Sequence, residues 1–169
     1  MIKQTLVIVK PDGLVKSLTG NILSVLAETK LKIVAAKVLK VSRELAEKHY
    51  SDLKEEKGDE LFNHIIDYIM GKHHTDRVFV LVYHGEDAIQ KIRRLAGSTN
   101  PEKADPISIR GKYGRINSQT GVMENVLHCS DSEINAEREI KLWFSPEELT
   151  DLIYPTKKEK REVEHIVWK

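Results

Sequence analysis

The segment Thr5-Leu6-Val7-Ile8-Val9-Lys10-Pro11-Asp12-Gly13 joins an unbroken aliphatic run to a turn. Apolar residues at both parities of a β-branched run predict a strand buried on both faces, the centre of a sheet. Pro-Asp-Gly then supplies turn chemistry, so the strand stops there and Lys10 sits at its mouth.

Reading outward, Ile22, Val25, Leu26 and Ala27 follow helical spacing after Gly20, and Ile33 to Val41 returns to a β-branched strand pattern. The chain thus opens β-α-β. Ser42 is placed to cap a helix carrying Leu45, Ala46, Tyr50 and Leu53. The charged run Lys54 to Asp59 reads as a break before a second helix with Leu61, Phe62, Ile65, Ile66 and Ile69 on one stripe. Val78 to Tyr83 is a further buried strand, and Ile89, Ile92, Leu95 and Ala96 mark a helix ending near Gly97.

From Gly97 to Gly121 no periodicity survives, and a long loop in a compact domain is usually functional or disordered. Val126-Leu127-His128 reads as a short strand. Ser130-Asp131-Ser132-Glu133 has the capping-box pattern of a helix through Ala136 and Ile140, and Ser145-Pro146-Glu147-Glu148 repeats it. Residues 156–169 form a charged tail whose Ile166-Val167-Trp168 is expected to dock on the body or on a neighbouring subunit.

A chain of 169 residues with 40% hydrophobic content can bury one good core, and residues 1–169 read as a single domain. Lysine and arginine total 27 against 26 acidic residues, a net charge of +1. That leaves no broad field for nucleic acid or anionic membrane, so an anionic ligand must be gripped by a local cluster of cations. No stretch approaches the roughly 20 apolar residues of a spanning helix. The single cysteine, Cys129, suits a reducing compartment, and the expected location is the cytoplasm.

Neither a G-x-x-x-x-G-K-[ST] phosphate loop nor a G-x-G-x-x-G fingerprint is present, so nucleotide binding would rest on side chains. His73 and His74 lack a zinc-binding context and read as solvated loop residues. His128, between a short strand and a capped helix, could face a cleft as a neutral imidazole, or be a hydrogen-bonded structural residue. Around it, near element ends, fall Lys10, Arg93, Thr99-Asn100-Pro101, Arg110 and Asn125. Phosphoryl transfer needs such equipment, because its transition state is stabilised by positioning and by neutralising oxygen charge. Singly, each has a plainer explanation: Lys10 a strand-end solubiliser, Arg93 a solvated helix face, Arg110 a loop residue, Tyr50 a core aromatic. The residues alone reach an anion site with a candidate nucleophile.

Taken in order, Val9-Lys10-Pro11-Asp12-Gly13, Gly97-Ser98-Thr99-Asn100-Pro101, Ile109-Arg110-Gly111 and Asn125-Val126-Leu127-His128-Cys129-Ser130-Asp131-Ser132 resemble the nucleoside diphosphate kinase family. The match extends to Ser145-Pro146-Glu147-Glu148-Leu149. The resemblance implies an α+β, ferredoxin-like sandwich: a four-stranded antiparallel sheet with surrounding helices. It further implies ping-pong transfer of the terminal phosphate of a nucleoside triphosphate to a nucleoside diphosphate. His128 matches the family nucleophile, and Glu139 the carboxylate on the ring nitrogen opposite the attacking one.

By the same match Arg93, Thr99 and Arg110 would hold phosphates, and Lys10 and Asn125 would meet the sugar hydroxyl and the transferring group. Tyr50 would support the histidine, while Val122 would form one wall for the base and Leu61 or its neighbour Phe62, with Ile65 on the same side, the other. Mg2+ would enter on the nucleotide phosphates, with no dedicated protein metal site. A homo-oligomer, tetramer or hexamer, is implied, and no dedicated nucleic-acid binding. The sequence departs from the family pattern by extra residues near 55–60 and 112–121, and by Cys129, read as a packed small side chain, where glycine is common. The alternative function is a non-catalytic nucleotide- or partner-binding regulatory protein of the same fold.

Overall fold

The computed structural model describes residues 1–160 and Trp168. Strand β1 (Ile2–Val9) pairs antiparallel with β3 (Val78–Glu86) along its whole length and with the short β6 (Leu127–Cys129) on its other side. Strand β2 (Lys32–Leu39) pairs antiparallel with β3, giving the order β2-β3-β1-β6. β1 is central, as its double-sided apolar pattern requires. Leu6 and Ile8 face one core with Val34, Val80 and Val82, and Val7 and Val9 face another with Leu81 and Tyr83.

The first core is covered by α3 (Arg43–His49), α4 (Ser51–Ile69) and α7 (Glu133–Trp143), through Ala46, Ile66, Ile140 and Trp143. The second is covered by α2 (Thr19–Ala27), α5 (Ala88–Ala96) and α6 (Ile109–Tyr113), through Ile22, Leu26, Ile92 and Ile109. This is the α+β, ferredoxin-like sandwich expected. Fully burying each such aliphatic side chain contributes about 1.5–3 kcal/mol before chain entropy is subtracted.

Several local expectations change. Pro11 starts a five-residue helix, α1 (Pro11–Val15), where a simple turn was expected; proline at the first helical position loses no hydrogen bond. The break expected over Lys54–Asp59 contracts to Gly58, whose φ of 76° is non-helical, because the lysines and glutamates around it are good helix formers. A separate break falls at Tyr50, between α3 and α4.

Residues 97–121 are not structureless. They hold a 3-10 turn at Pro101–Lys103 capped by Asn100, then α6 capped by Ser108, then strand β4 (Arg115–Ile116), which pairs with β5 (Met123–Glu124). Elements of two to five residues are too short to show a period. Finally, α7 is capped by Ser132, which accepts the Asn135 N–H, leaving Ser130 for another task. In the tail, Ile166 and Val167 lie outside the described residues, and Trp168 is fully exposed.

Candidate active site

The register of the sheet brings residues distant in sequence to one strand end. Val9 pairs with Leu127 and Ile8 with His128, so the residue after β1 meets the residue before β6: the Lys10 N–H donates to the Val126 carbonyl at 2.9 Å. Lys10 Nζ donates to Asn125 Oδ1 at 2.8 Å, and Asn125 Nδ2 donates to the Thr99 carbonyl at 2.9 Å. From α6, the Arg110 guanidinium donates to the Leu127 carbonyl at 3.0 and 3.3 Å and to the Gly97 carbonyl at 2.8 Å.

Lys10 and Arg110 are both buried, and neither pairs with a carboxylate within 4.0 Å among the described residues. Neutral carbonyl and amide oxygens hold these cations in place without cancelling their charge. Burial, reinforced by Arg110, brings Lys10 from its ordinary 10.5 down to about 8, with Asp12 opposing. An anion delivered here would relieve the desolvation of both cations. Arg93, exposed on α5, adds positive potential felt at Cys129 and Asp131.

Also on β6, His128 Nε2 lies 3.1 Å from Glu139 Oε2, which also accepts the Ser130 hydroxyl at 2.6 Å. Ser130 further accepts the Leu6 N–H, so the carboxylate is fixed to the sheet and not only to α7. With Nε2 engaged, Nδ1 is the imidazole nitrogen left to react. Tyr50 stands edge-on, its ring centroid 6.2 Å from that of His128; burial pushes its hydroxyl pKa up, so it stays protonated. Cys129 packs with Val7 and Leu127, and burial raises its thiol too, in keeping with a packed side chain.

His49 is a site residue that sequence reasoning missed. Its ring sits edge-on 4.4 Å from the His128 ring, and the Trp143 indole donates to its Nδ1 at 3.0 Å. A nitrogen that accepts carries no proton, so neutral His49 bears its hydrogen on Nε2, which is buried and has no hydrogen-bond partner among the described residues. Burial first, then His128, Arg138 and Lys10, hold its pKa well below the ordinary value. Nitrogens of His49 and His128 and an oxygen of Glu139 lie within 4.8 Å of one another. Two imidazoles and one carboxylate suit a transition metal more than magnesium, and the Trp143 bond leaves His49 the wrong tautomer to ligate through Nε2.

Leu61 and Val122 stand outside this network. Leu61 is half exposed on α4, whereas its neighbour Phe62 is buried in the first core; Val122 is buried in the β4–β5 hairpin. That hairpin is fastened by Glu124, which is fully buried and accepts from Lys16 at 2.6 Å, Arg115 at 2.7 Å and Asn117 at 2.9 Å. His74, expected to be solvated, instead lies partly buried with Nε2 3.2 Å from Glu124. The turn after α4 thus brings an imidazole up to this carboxylate, although His74 Nε2 forms no hydrogen bond among the described residues.

A family model described as "Nucleoside diphosphate kinase" matches residues 3–149. The chain belongs to the nucleoside diphosphate kinase family. It is 42% identical over 166 residues to a nucleoside diphosphate kinase of Pyrococcus furiosus, covering 95% of this chain and 98% of that one. A Listeria monocytogenes nucleoside diphosphate kinase is 43% identical over 147 residues, covering 87% of this chain and 92% of the relative. Among solved structures, a transition state mimic of the Borrelia burgdorferi enzyme with bound vanadate and ADP superposes with a TM-score of 0.80 at 34% identity, covering 90% of this chain and 93% of that one. The Aquifex aeolicus nucleoside diphosphate kinase gives 0.76 at 31%, covering 89% and 100%. Enzymes of this family act on nucleotides, and the strand end just described joins a carboxylate-anchored histidine to uncompensated cations, as phosphoryl transfer needs. No helix among the described residues is long and apolar enough to cross a membrane.

Proposed function

We propose that the chain transfers the terminal phosphate of a nucleoside triphosphate to a nucleoside diphosphate by a ping-pong route through phosphohistidine at His128. The observation that carries this reading is the His128–Glu139 contact of 3.1 Å, which commits Nε2 and leaves Nδ1 to react, at the strand end where Asn125 and Leu127 hold Lys10 and Arg110. A neutral imidazole attacks phosphorus without a separate strong base.

The Nδ1 lone pair forms the N–P bond while the bond from phosphorus to the bridging oxygen breaks, and the diphosphate departs with that electron pair. Glu139 holds the Nε2 proton and stabilises the positive imidazole that develops, as Ser130 keeps its carboxylate in place. Lys10 and Arg110, with Arg93 at the rim and Thr99 beside Asn125, neutralise the oxygens. The terminal oxygen of a second nucleoside diphosphate then displaces His128 from phosphorus, restoring the neutral ring. Mg2+ would be held by the nucleotide phosphates, without a dedicated set of protein ligands, and would supply further charge neutralisation beside Lys10 and Arg110.

Leu61 and Val122 are assigned to the base end, and Tyr50 to support of the His128 ring. We read residues 1–169 as one such domain, working in the cytoplasm as a homo-oligomer, tetramer or hexamer. The exposed Ile33 and Val38 on edge strand β2 support self-association. Intact-protein mass after mixing with ATP and magnesium under alkaline quench tests the chemistry: an acid-labile phosphate adduct should form, then vanish as GTP appears on adding GDP. A protein that forms neither adduct nor GTP would overturn the reading.

A further inference from the structure

Asp12 is fully buried and bonds neither His128 nor a phosphate-site cation. Its Oδ1 accepts the Tyr68 hydroxyl at 2.5 Å, and its Oδ2 accepts the Val126 N–H at 3.1 Å. Val126 has φ of 55°, and is the only β-branched residue among the non-glycine residues with positive φ in the described chain. The Leu127 N–H reaches back to the Asn125 carbonyl at 2.6 Å, closing a three-residue turn of a strained kind. Such a conformation persists only where its surroundings over-determine it, and for valine the steric penalty is large.

What flanks the strained residue is the site itself. Asn125 bridges Lys10 and Thr99, the Leu127 carbonyl holds Arg110, and His128 comes next. The first turn of α1 approaches closely enough that a Cβ on Gly13 would lie 3.1 Å from the Val126 carbonyl oxygen. We propose that the Asp12–Tyr68 pair is a positioning device that clamps the Val126 turn and so sets the placement of Asn125, Arg110 and His128 for phosphoryl transfer. This rests on the reading of His128 as the phosphate acceptor.

The test is a double-mutant cycle on the full chain. Asp12→Asn leaves one accepting oxygen in place of two, so single-turnover phosphorylation of His128 by ATP and magnesium should slow by about tenfold or more. Val126→Gly makes positive φ inexpensive, so Asp12→Asn in that background should cost no more than about threefold relative to Val126→Gly alone. Tyr68→Phe, run through the same cycle, replaces Asp12→Asn if the latter does not fold.

An unchanged rate in Asp12→Asn overturns the clamp. So does a loss undiminished in the glycine background, since a general structural role would be additive. The ring-nitrogen resonances of His128 in the same proteins, without nucleotide, should shift in Asp12→Asn and return in the double variant. If the parent protein forms no adduct while these resonances follow that pattern, the clamp stands and the phosphohistidine reading falls. Resonances that do not move overturn the clamp whatever the activity.

Discussion

The phosphate end of the proposed site and its base end are built on opposite plans. At the phosphate end Lys10, Arg110 and Glu139 are buried and tied to other elements, Lys10 to Asn125, Arg110 to Gly97 and Leu127, Glu139 to Ser130, with only Arg93 and Thr99 exposed at the edge. At the base end, half-exposed Leu61 rides on a helix interrupted at Gly58, and Val122 sits in the connection of the two-residue strands β4 and β5. The difference is one of preorganisation. Electrostatic stabilisation of a transition state pays off only if the charges are fixed beforehand, whereas an apolar wall tolerates a loose fit.

Substitutions should therefore grade from one end to the other. His128→Ala should abolish nucleotide exchange, with ADP binding largely kept; isothermal titration beside a coupled exchange assay checks both, and substantial turnover would remove the covalent route. Glu139→Gln should keep the nucleophile but loosen its orientation, lowering kcat by up to about a hundredfold with little change in KM. A wild-type rate would take Glu139 out of the site.

Lys10 offers a subtler probe. With its pKa at about 8 in the unliganded protein, its charge is present below that pH and lost above it. Bound phosphate favours the protonated form, so ADP affinity should fall as pH rises above about 8, and Lys10→Met should flatten that dependence in titrations. The sign for stability is opposite: a lysine whose folded pKa lies below its unfolded value destabilises when protonated, so its contribution improves as pH rises from about 8 towards 10.5. The smallest effect is expected at the base end. Leu61→Ala should raise KM by about fivefold or less, because a half-exposed leucine has only part of its burial energy to give. A larger loss there, or one in kcat, would erase the contrast between the two ends.

Much of this architecture is legible in the chain. The aliphatic run before Lys10 announces a central strand because both parities are apolar, and the Asn125-to-Ser132 segment carries enough ordered chemistry to suggest His128. His49 was not legible by the same means. As a basic residue in the last turn of α3 it looks like a solvated helix end, and only the Trp143 indole, 94 positions away, reveals it as buried. A signal did exist: Ala46, His49 and Leu53 fall at i, i+3 and i+7, the spacing of a core-facing stripe. Nothing local betrays the φ of Val126, since valine is the residue a strand would favour there. The short elements of 97–121 are set by caps at Asn100 and Ser108 and by the β4–β5 pairing, and so escape any periodicity.

Lys10 and Asn125 stand 115 positions apart in the chain, and β6 joins the sheet through β1 alone. A fragment emerging from the ribosome that stops short of Asn125 lacks the Asn125 bridge, the Leu127 carbonyl that holds Arg110, and His128, although three of the four sheet strands are already present. A nucleotide that binds here thus closes a loop spanning most of the polypeptide. By mass action it favours the finished molecule over every incomplete one, linking the persistence of the fold to the cellular supply of its own substrate.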